Sequence, residues 1–227
     1  MRRGRAPPGR RDPAVRVAGR GRDQSSREWL TRQLNDPYVA EAHRLGYRSR
    51  AAFKLIQLDE RFGLIAPARR VVDLGCAPGG WAQVVAARLA GRRGVVVGVD
   101  LAATDPILGA TLIQGDFRDA ETAAAVRVGL GGEADLVLSD MAAPATGHAA
   151  TDHLRIVALA EDAFAFAATM LRPGGAFIAK VFQGGTEGTL LAALKRDFAE
   201  VRHAKPAASR AESAEAYVVA RGYRGRR

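Results

Sequence analysis

The sequence predicts an α/β protein with a mostly parallel, seven-stranded sheet and helices on both faces. From residue 70 onward, short runs rich in valine, leucine and isoleucine alternate with longer helical segments. Parallel strands joined by helical crossovers produce that alternation. A turn of small residues, from Gly75 to Gly80, follows the first run, at a place where α/β proteins commonly bind ligands. The length of 227 residues, of which 48% are hydrophobic, suits one such domain with extensions.

Three helices are predicted ahead of the first strand. Two serines, at positions 25 and 26, cap a short helix, and Pro37 ends it. Two more helices span residues 38–45 and 49–62, and each ends at a glycine. This part of the chain is therefore a short helical extension of the α/β domain.

Strands and helices then alternate to the end of the chain. The predicted strands span residues 70–74, 94–100, 111–113, 134–140 and 177–182, and the helices span 79–89, 119–128, 151–171 and 187–198. Residues 172–175 form a turn with proline and glycine before the fifth strand. Two last strands, near 200–204 and 215–221, are joined by a loop, so we expect an antiparallel pair at one edge of the sheet.

Positive charge is concentrated at the two ends of the chain. The formal net charge is +10, and residues 1–22, with eight arginines and one aspartate, contribute +7 of it. We predict a disordered basic tail over residues 1–24, a domain over residues 25–222, and a basic C-terminal tail over residues 223–227. Basic tails on a nearly neutral domain indicate a polyanionic partner, RNA or DNA first, although a role in solubility alone gives the same composition.

Composition disfavours several classes of protein. The sequence has no apolar stretch of the length that a membrane helix needs, and the arginine-rich N-terminus lacks the apolar segment of a secretory signal. An organelle transit peptide fits this segment less well, because it contains proline and glycine. A single cysteine, Cys76, argues against a disulfide framework, and the four histidines lack metal-ligand spacing. We therefore expect a cytoplasmic protein without a metal or a membrane partner.

The small-residue turn and two aspartates predict a nucleoside pocket. Asp100 ends the second strand, where it can accept hydrogen bonds from a ribose diol, and Asp116 follows the third strand, where it can accept from the amino group of adenine. The alternative is a dinucleotide pocket, but Ala77 and Pro78 interrupt the G-x-G-x-x-G spacing. The sequence therefore favours S-adenosylmethionine over a nicotinamide dinucleotide. We interpret Cys76 as a small filler residue in the turn rather than a nucleophile.

Lys180 lies within the apolar run FIAKVF of the fifth strand. A charged amine in a buried strand is costly unless partners surround it. The chain has 30 arginines and only four lysines, so a lysine here indicates a requirement that arginine does not meet. Arginine cannot release its proton in a protein and has a broad planar head. We predict a functional role for Lys180, whereas Lys195 and Lys205 suit ordinary surface positions.

Six motifs occur in the order of a known family: GYRSRAAFKL, DLGCAPGGWAQV, QGDFRD, SDMAAPATG, KVFQG and KPAASRAESAEAYVVA. Together they resemble the FtsJ/RrmJ-type (RlmE family) ribosomal RNA large-subunit 2′-O-methyltransferases, over residues 25–222. The resemblance implies a Rossmann-like, S-adenosyl-L-methionine-dependent methyltransferase fold. It implies an enzyme that methylates the 2′-hydroxyl of a uridine in 23S ribosomal RNA, late in ribosome assembly. It also implies a monomer whose partner is ribosomal RNA within the large subunit.

The resemblance assigns the site residue by residue. It implies a catalytic tetrad of Lys54, Asp140, Lys180 and Glu215, and cofactor contacts from Gly79, Trp81, Asp100, Asp116 and Asp140. For Trp81, packing of its helix against the sheet is the other interpretation. The sequence departs from the family pattern at Ala143, where asparagine is common, and at Glu212 and Ala214, where arginines are common. The last two departures indicate weaker RNA contacts at that edge.

Two mechanisms fit the implied tetrad. In the first, Lys180 is neutral and takes the proton of the ribose hydroxyl, because burial and the neighbouring Lys54 favour loss of its charge. In the second, Lys180 stays charged and steers a lone pair of the hydroxyl toward the methyl group, while the proton leaves to Asp140 or to water. In both, Asp140 orients Lys180, and Glu215 closes the hydrogen-bond network. Lys54 orients the hydroxyl or the adjacent phosphate.

Three arginines, Arg44, Arg48 and Arg50, lie just before Lys54. Runs of charge usually form solvated faces, but these residues adjoin the implied site. We therefore expect them to contact RNA phosphates.

Three other functions fit parts of the sequence. Related enzymes methylate transfer RNA or messenger RNA caps, and sequence separates these substrates only by similarity. A non-catalytic RNA-binding or ribosome-assembly protein could keep the fold, although the complete tetrad argues against it. A nicotinamide oxidoreductase lacks the loop spacing.

Overall fold

The protein folds around one seven-stranded sheet that helices cover on both faces. The structure is a computed structural model, and it describes residue 31 and residues 34–144, 146–183 and 188–225. The predicted α/β class and the number of strands are confirmed. The tail predicted over residues 1–24 and the helix predicted after the two serines lie outside the described residues.

Helices and strands begin and end within two residues of their predicted bounds, except at the start of the fifth strand. The helices are α1 Pro37–Leu45, α2 Ala51–Phe62, α3 Gly80–Leu89, α4 Ala120–Leu130, α5 Ala149–Met170 and α6 Thr189–Asp197. The strands are β1 Arg70–Leu74, β2 Val95–Asp100, β3 Thr111–Gln114, β4 Ala134–Ser139, β5 Leu171–Phe182, β6 Phe198–Ala204 and β7 Glu215–Tyr223.

Local signals explain the ends of the first two helices. Asp36 caps α1 by accepting a hydrogen bond from the backbone N–H of Tyr38, at 3.0 Å. Pro37 is the first residue of α1. Proline suits this position because a backbone N–H there would have no acceptor within the helix. Gly46 and Gly63 follow α1 and α2 with φ angles of 75° and 63°, in the left-handed region that glycine adopts without strain.

The strand order is β3-β2-β1-β4-β5-β7-β6. Strands β1 to β5 are mutually parallel, whereas β7 is antiparallel to both β5 and β6. The predicted antiparallel pair thus lies at one edge, but only β7 runs against the rest of the sheet. The chain order reverses between β1 and β4, and ligands of α/β sheets bind beyond the carboxyl ends of the strands at such a point.

Strand β5 begins six residues before its predicted start, at Leu171. Leu171 pairs with Ala134 of β4, and the next pair joins Ala176 to Leu136. The residues between them, which were predicted as a turn, therefore bulge from the ladder inside β5.

The last described residues belong to the domain. Strand β7 runs to Tyr223, which is 4% exposed. The guanidinium of Arg224 donates to the backbone carbonyls of Lys195 and Arg196 at the end of α6. Strand pairing and hydrogen bonds thus include residues 223 and 224, the first two residues of the predicted basic C-terminal tail.

Two hydrophobic layers hold the helices to the sheet. Helices α2 and α3 pack on one face, against side chains such as Val71, Val96, Leu138, Ile178 and Tyr217. Helices α4, α5 and α6 pack on the other face, against side chains such as Val72, Val97, Val137, Phe177 and Val218. Side chains of one strand alternate between the layers, as a period of two requires.

Within the part of the chain that the structure describes, no helix is long and apolar enough to cross a bilayer. The same residues contain no group of three or more histidine, cysteine, aspartate or glutamate side chains that could hold a metal ion.

Candidate active site

Helix α2 brings Lys54 to the carboxyl end of the sheet. Trp81 of α3 donates from its indole Nε1 to the backbone carbonyl of Ala51, at 2.8 Å, and this bond fixes the first turn of α2. Gly80 allows the close approach, because a side chain there would collide with the hydroxyl of Ser49. Lys54 follows one turn into α2 and is only 7% exposed.

Strands β4, β5 and β7 bring the other three predicted catalytic residues to the same place. Asp140 directly follows β4, whose last residue pairs with Ala179 of β5. Lys180 lies opposite Tyr217 in the β5–β7 ladder, and Glu215 begins β7 two residues earlier. A spacing of two puts Glu215 and Tyr217 on the same face of the sheet. That face is the one that α2 covers.

The four side chains form one network. The Nζ atom of Lys54 lies 2.7 Å from Oε2 of Glu215 and 3.9 Å from Oδ1 of Asp140. The Nζ atom of Lys180 lies 2.9 Å from Oδ1 of Asp140 and 3.8 Å from Oε2 of Glu215. Lys180 also donates to the backbone carbonyl of Asp140, at 2.8 Å. Each amine therefore has one close carboxylate and one more distant carboxylate.

This network explains why a buried strand carries a lysine. Lys180 is 9% exposed, so an unpaired ammonium group there would carry a large desolvation penalty. Two carboxylates balance the charges of the two amines, and hydrogen bonds engage one donor of Lys54 and two donors of Lys180.

Tyr217 and Ser209 complete the network. The Tyr217 hydroxyl donates to Oδ1 of Asp140, at 2.6 Å, and the Ser209 hydroxyl donates to Oε1 of Glu215, at 2.7 Å. Burial, and then the charges of Asp140 and Glu215, raise the pKa of Tyr217 well above its ordinary value, so the phenol keeps its proton and remains a donor.

Glu215 is anionic at neutral pH. Burial opposes its charge, but the ammonium groups of Lys54 and Lys180 and the hydrogen bonds from Lys54 and Ser209 outweigh burial and lower its pKa below the ordinary value. The carboxylate therefore acts as an acceptor that holds Lys54 in place.

A cavity of about 380 Å³ opens beside the tetrad, at the carboxyl ends of β1, β2, β3 and β4. Its lining includes Gly75, Ala77, Asp100, Asp116, Phe117, Asp140 and Met141. Gly75 has a φ angle of 72°, and a side chain there would collide with Met141. The volume lies in the range of small-molecule sites, and three carboxylates beside apolar walls suit an adenosyl group.

Asp100 is held rigidly at the wall of this cavity. Its Oδ2 atom accepts from the backbone N–H of Ala77, at 2.9 Å, and its Oδ1 atom accepts from the N–H of Ala102, at 2.8 Å. A carboxylate oxygen can accept two hydrogen bonds, so each oxygen keeps capacity for a ribose hydroxyl. The position agrees with the predicted contact to a ribose diol.

Asp116 is paired with Arg118 at the other end of the cavity. The Arg118 guanidinium contacts both carboxylate oxygens, and its hydrogen bond is the main cause of the lowered pKa of Asp116. Arg118 itself lines the cavity. An adenine amino group would therefore meet a carboxylate whose orientation the arginine fixes.

Gly79 and Trp81 are not among the residues that line this cavity. The Trp81 indole packs against the ring of Tyr217, at 5.7 Å between centroids, as the packing interpretation predicts. A Cβ atom on Gly79 would lie 2.6 Å from Cδ1 of Ile107 and 3.0 Å from a guanidinium nitrogen of Arg48, so protein atoms occupy that side of the glycine. Their cofactor contacts stay predictions.

The three arginines before Lys54 are each engaged within the protein. Arg44 pairs with Glu41 on α1, and Arg50 lies 2.9 Å from Asp36 and donates to the carbonyl of Ala208. Arg48 donates to backbone carbonyls of two loops. Arg48 therefore links two loops of the protein, whereas the sequence predicted only that it contacts RNA phosphates.

Tyr217, Asp73 and Lys205 have roles in or near the site that the sequence predictions did not include. Tyr217 had a signal, since a tyrosine two residues after Glu215 shares its face of β7. Asp73 had one too, as a carboxylate inside the apolar run of β1; it is 1% exposed, and burial, followed by the charge of Asp140, raises its pKa well above the ordinary value. Lys205 donates to the carbonyls of Ala211 and Ser213, so it anchors the β6–β7 loop rather than occupying an ordinary surface position.

The architecture and the cavity define an α/β protein with a Rossmann-like methyltransferase fold. A family model described as FtsJ-like methyltransferase matches residues 47–223. The chain belongs to the FtsJ-like methyltransferase family, as its sequence motifs predicted.

Relatives and a solved structure agree with this membership. The chain is 61% identical over 219 residues to the ribosomal RNA large subunit methyltransferase E of Granulibacter bethesdensis, covering 96% of this chain and 94% of that protein. It is 62% identical over 216 residues to the protein of the same name from Acidiphilium cryptum, covering 95% of each chain. A crystal structure titled as a ribosomal RNA methyltransferase from Plasmodium falciparum matches with a TM-score of 0.71 and 31% identity, covering 79% of this chain and 100% of that one.

Proposed function

We propose that the protein transfers a methyl group from S-adenosyl-L-methionine to the 2′-hydroxyl of a uridine in 23S ribosomal RNA, within the large subunit and late in its assembly. The names of relatives that align over nearly the whole chain support this substrate. The observation that carries the reaction type is the convergence of two lysines and two carboxylates beside the cavity, with Asp140 belonging to both. We propose that it acts as a cytoplasmic monomer.

The cavity suits the cofactor. We assign Asp100 to the ribose diol, Asp116 to the adenine amino group and Phe117 to an apolar wall, because all three residues line the cavity. When bound, S-adenosyl-L-methionine supplies an electrophilic methyl group on a sulfonium sulfur. Asp140 lines the cavity and pairs with Lys180, so a hydroxyl that contacts Lys180 lies near the mouth of the cofactor site.

Positioning is the main task of the tetrad. The attacking oxygen, the methyl carbon and the sulfur must be in line, and in well-oriented systems positioning lowers a barrier by about 7–11 kcal/mol. The Lys180 amine has three hydrogens, two of which point to Asp140. We assign the third to the substrate oxygen, where it directs a lone pair toward the methyl carbon.

Charge balance favours the mechanism in which Lys180 stays charged. Two ammonium groups and two carboxylates give a neutral buried site, whereas a neutral Lys180 would leave one carboxylate charge unbalanced among groups that are 8–15% exposed. The hydroxyl proton then leaves to Asp140 or to water as the new C–O bond forms.

We propose that Lys54, fixed by Glu215, contacts the RNA substrate. Lys54 is fixed by Glu215 at 2.7 Å, and Ser209 fixes the other carboxylate oxygen. We propose that Lys54 contacts the target hydroxyl or the phosphate beside it, because its ammonium group lies on the side of the network formed by α2 and the β6–β7 loop.

The substrate assignment is tested with labelled cofactor. Purified protein is incubated with S-adenosylmethionine carrying a tritiated methyl group and with large subunits, naked 23S RNA or transfer RNA, all from a strain that lacks the gene. We expect label in the 23S RNA of large subunits, and alkaline hydrolysis should map it to one 2′-O-methyluridine. Label in transfer RNA alone, or transfer to a base, would overturn the substrate assignment, and no transfer to any RNA would favour a non-catalytic assembly factor.

A further inference from the structure

We propose that Arg48 is a positioning residue that joins the two loops around the cofactor cavity and ties them to the helix that carries Lys54. The proposal rests on the proposed function only for the identity of the cofactor. It is based on hydrogen bonds of Arg48, a residue of the motif GYRSRAAFKL for which the sequence predicted only phosphate contact.

The Arg48 guanidinium bridges two loops that are distant in sequence. It donates to the backbone carbonyl of Pro78, at 3.2 Å, in the small-residue turn after β1. It also donates to the carbonyls of Asp105 and Pro106, at 2.6 and 2.7 Å, in the loop that follows Asp100. The first loop contributes Gly75 and Ala77 to the cavity wall, and the second contributes Leu101 and directly follows Asp100, which also lines the cavity. Arg48 therefore fixes two loops that form part of the wall.

The backbone of Arg48 is fixed as well. Its N–H donates to Oε1 of Gln83 on α3, at 2.8 Å, and the amide nitrogen of Gln83 donates to the carbonyl of Gly46, at 3.0 Å. Helix α2 begins three residues after Arg48, and Lys54 lies in its first turns. Movement of either cavity loop is therefore transmitted to the start of the helix that carries Lys54.

Gly79 leaves the space that Arg48 needs. A Cβ atom at Gly79 would meet the Arg48 side chain at 3.0 and 3.3 Å, and Gly79 has a φ angle of 113°, a conformation that favours glycine. The two adjacent glycines of the turn thus face residues 48 and 49, which indicates that part of this motif serves contact with the helical extension.

Arginine suits this position for a chemical reason. Three carbonyl oxygens from two loops need a planar group with several donors at fixed angles, which guanidinium provides. A lysine ammonium group is a single point and cannot span the same acceptors. Arg48→Lys therefore keeps the charge and most of the side-chain length but loses the bridge.

The test compares Arg48→Lys with the matched control Arg44→Lys, an exposed arginine of α1 whose partner is Glu41. S-adenosylhomocysteine binding is measured by calorimetry, and hydrogen exchange of the segment 47–54 is measured with and without this ligand. In the unsubstituted protein and in the control, we expect binding and slower exchange of the segment. In Arg48→Lys, we expect a Kd about tenfold higher and no slowing of exchange at saturating ligand.

A second variant separates this role from simple loss of stability. Gln83→Ala removes the link to α3 but keeps the bonds of the guanidinium, so it should lose the slowing of exchange with a smaller change in Kd. Unchanged binding and unchanged exchange in Arg48→Lys would overturn the proposal alone. Failure of the unsubstituted protein to bind S-adenosylhomocysteine would overturn the cofactor assignment, and the proposal with it.

Discussion

Strand β4 has one aspartate near each end: Asp135 near its amino end and Asp140 just past its carboxyl end. Both side chains are mostly buried, with exposures of 11% and 15%. Asp135 accepts from the backbone N–H groups of Arg69 and Arg70, at 2.8 Å each, and pairs with the Arg172 guanidinium. Asp140 instead meets two lysine amines and a tyrosine hydroxyl, and it borders a cavity.

The difference lies in the donors. At Asp135, backbone amides and a guanidinium of fixed geometry engage both carboxylate oxygens, so the arrangement connects β1, β4 and β5. At Asp140, the lysine amines have rotating hydrogens that can be redirected to an incoming hydroxyl. The chain uses arginine nearly everywhere, with 30 arginines to four lysines, yet both cations of the proposed site are lysines. Of the two aspartates of β4, Asp135 therefore serves the fold, and we propose that Asp140 serves the reaction.

Lys180→Ala, which removes a lysine partner of Asp140 from β5, should give the largest effect. It removes the donor to the substrate oxygen and leaves Asp140 without its closest cation, so we expect methyl transfer to fall by about 10³-fold or more. The measurement is single-turnover transfer from labelled cofactor to large subunits. Lys195→Ala, on the exposed surface of α6, serves as the control and should keep full activity. Persistence of transfer in Lys180→Ala would remove Lys180 from the mechanism.

Asp140→Asn should have the next largest effect, about 10²-fold on the same rate, because the amide neither balances the charge of Lys180 nor takes a proton. Asp135→Asn is the matched control at the other end of β4, and we expect its rate at a temperature below unfolding to equal that of the unsubstituted protein. An equal loss of methyl-transfer rate in both variants would show that Asp140 has no special role in the reaction.

Tyr217→Phe should lower the rate by about tenfold. It removes one donor to Oδ1 of Asp140, while Lys180 remains in contact with that atom. The pKa of Tyr217 is raised well above its ordinary value, so the phenol stays protonated at neutral and moderately alkaline pH. The slope of activity against pH above neutrality should therefore be the same in Tyr217→Phe, and a change in that slope would contradict a donor role.

Asp135→Asn should affect stability rather than activity. Burial raises the pKa of Asp135, but the bonds from Arg172 and the two amides outweigh burial and lower it overall. A lowered pKa in the folded state stabilises the protein above the pKa of the unfolded state, about 3.9, and this contribution is lost as the pH falls through the folded value. We expect denaturation in urea at pH 7 to show a loss of about 1–3 kcal/mol, which shrinks below pH 4. A pH-independent loss would contradict this origin.

Sequence reasoning predicted the elements whose signals are local. The valine-rich runs gave β1 and β2, and Lys180 within an apolar strand pointed to a paired amine. Sequence patterns did not predict contacts that depend on which strands pair and on which loops meet in the folded protein. The bond between Tyr217 and Asp140 needs the pairing of β5 with β7, and the partners of Arg48 lie in loops 30 and 58 residues away.

Glycines illustrate the same limit. The sequence assigned the glycine-rich turn to the cofactor as a whole, and Gly75 does line the cavity. Gly79 and Gly80 also make room for residues of the helical extension, whatever contact Gly79 makes with the cofactor. A glycine in a sequence indicates that another group packs closely against the backbone. Only the tertiary structure shows whether that group belongs to a ligand or to the protein.

The central physical claim is that the buried site is neutral as a whole, with two ammonium groups opposite two carboxylates. Because the chain has only four lysines, nitrogen NMR of lysine-labelled protein resolves every side-chain amine, and the variants Lys54→Ala and Lys180→Ala assign the two signals of the site. At pH 7.5, with S-adenosylhomocysteine bound, we expect both signals at ammonium shifts. A neutral-amine shift for either lysine would contradict the charge balance on which the proposed mechanism depends.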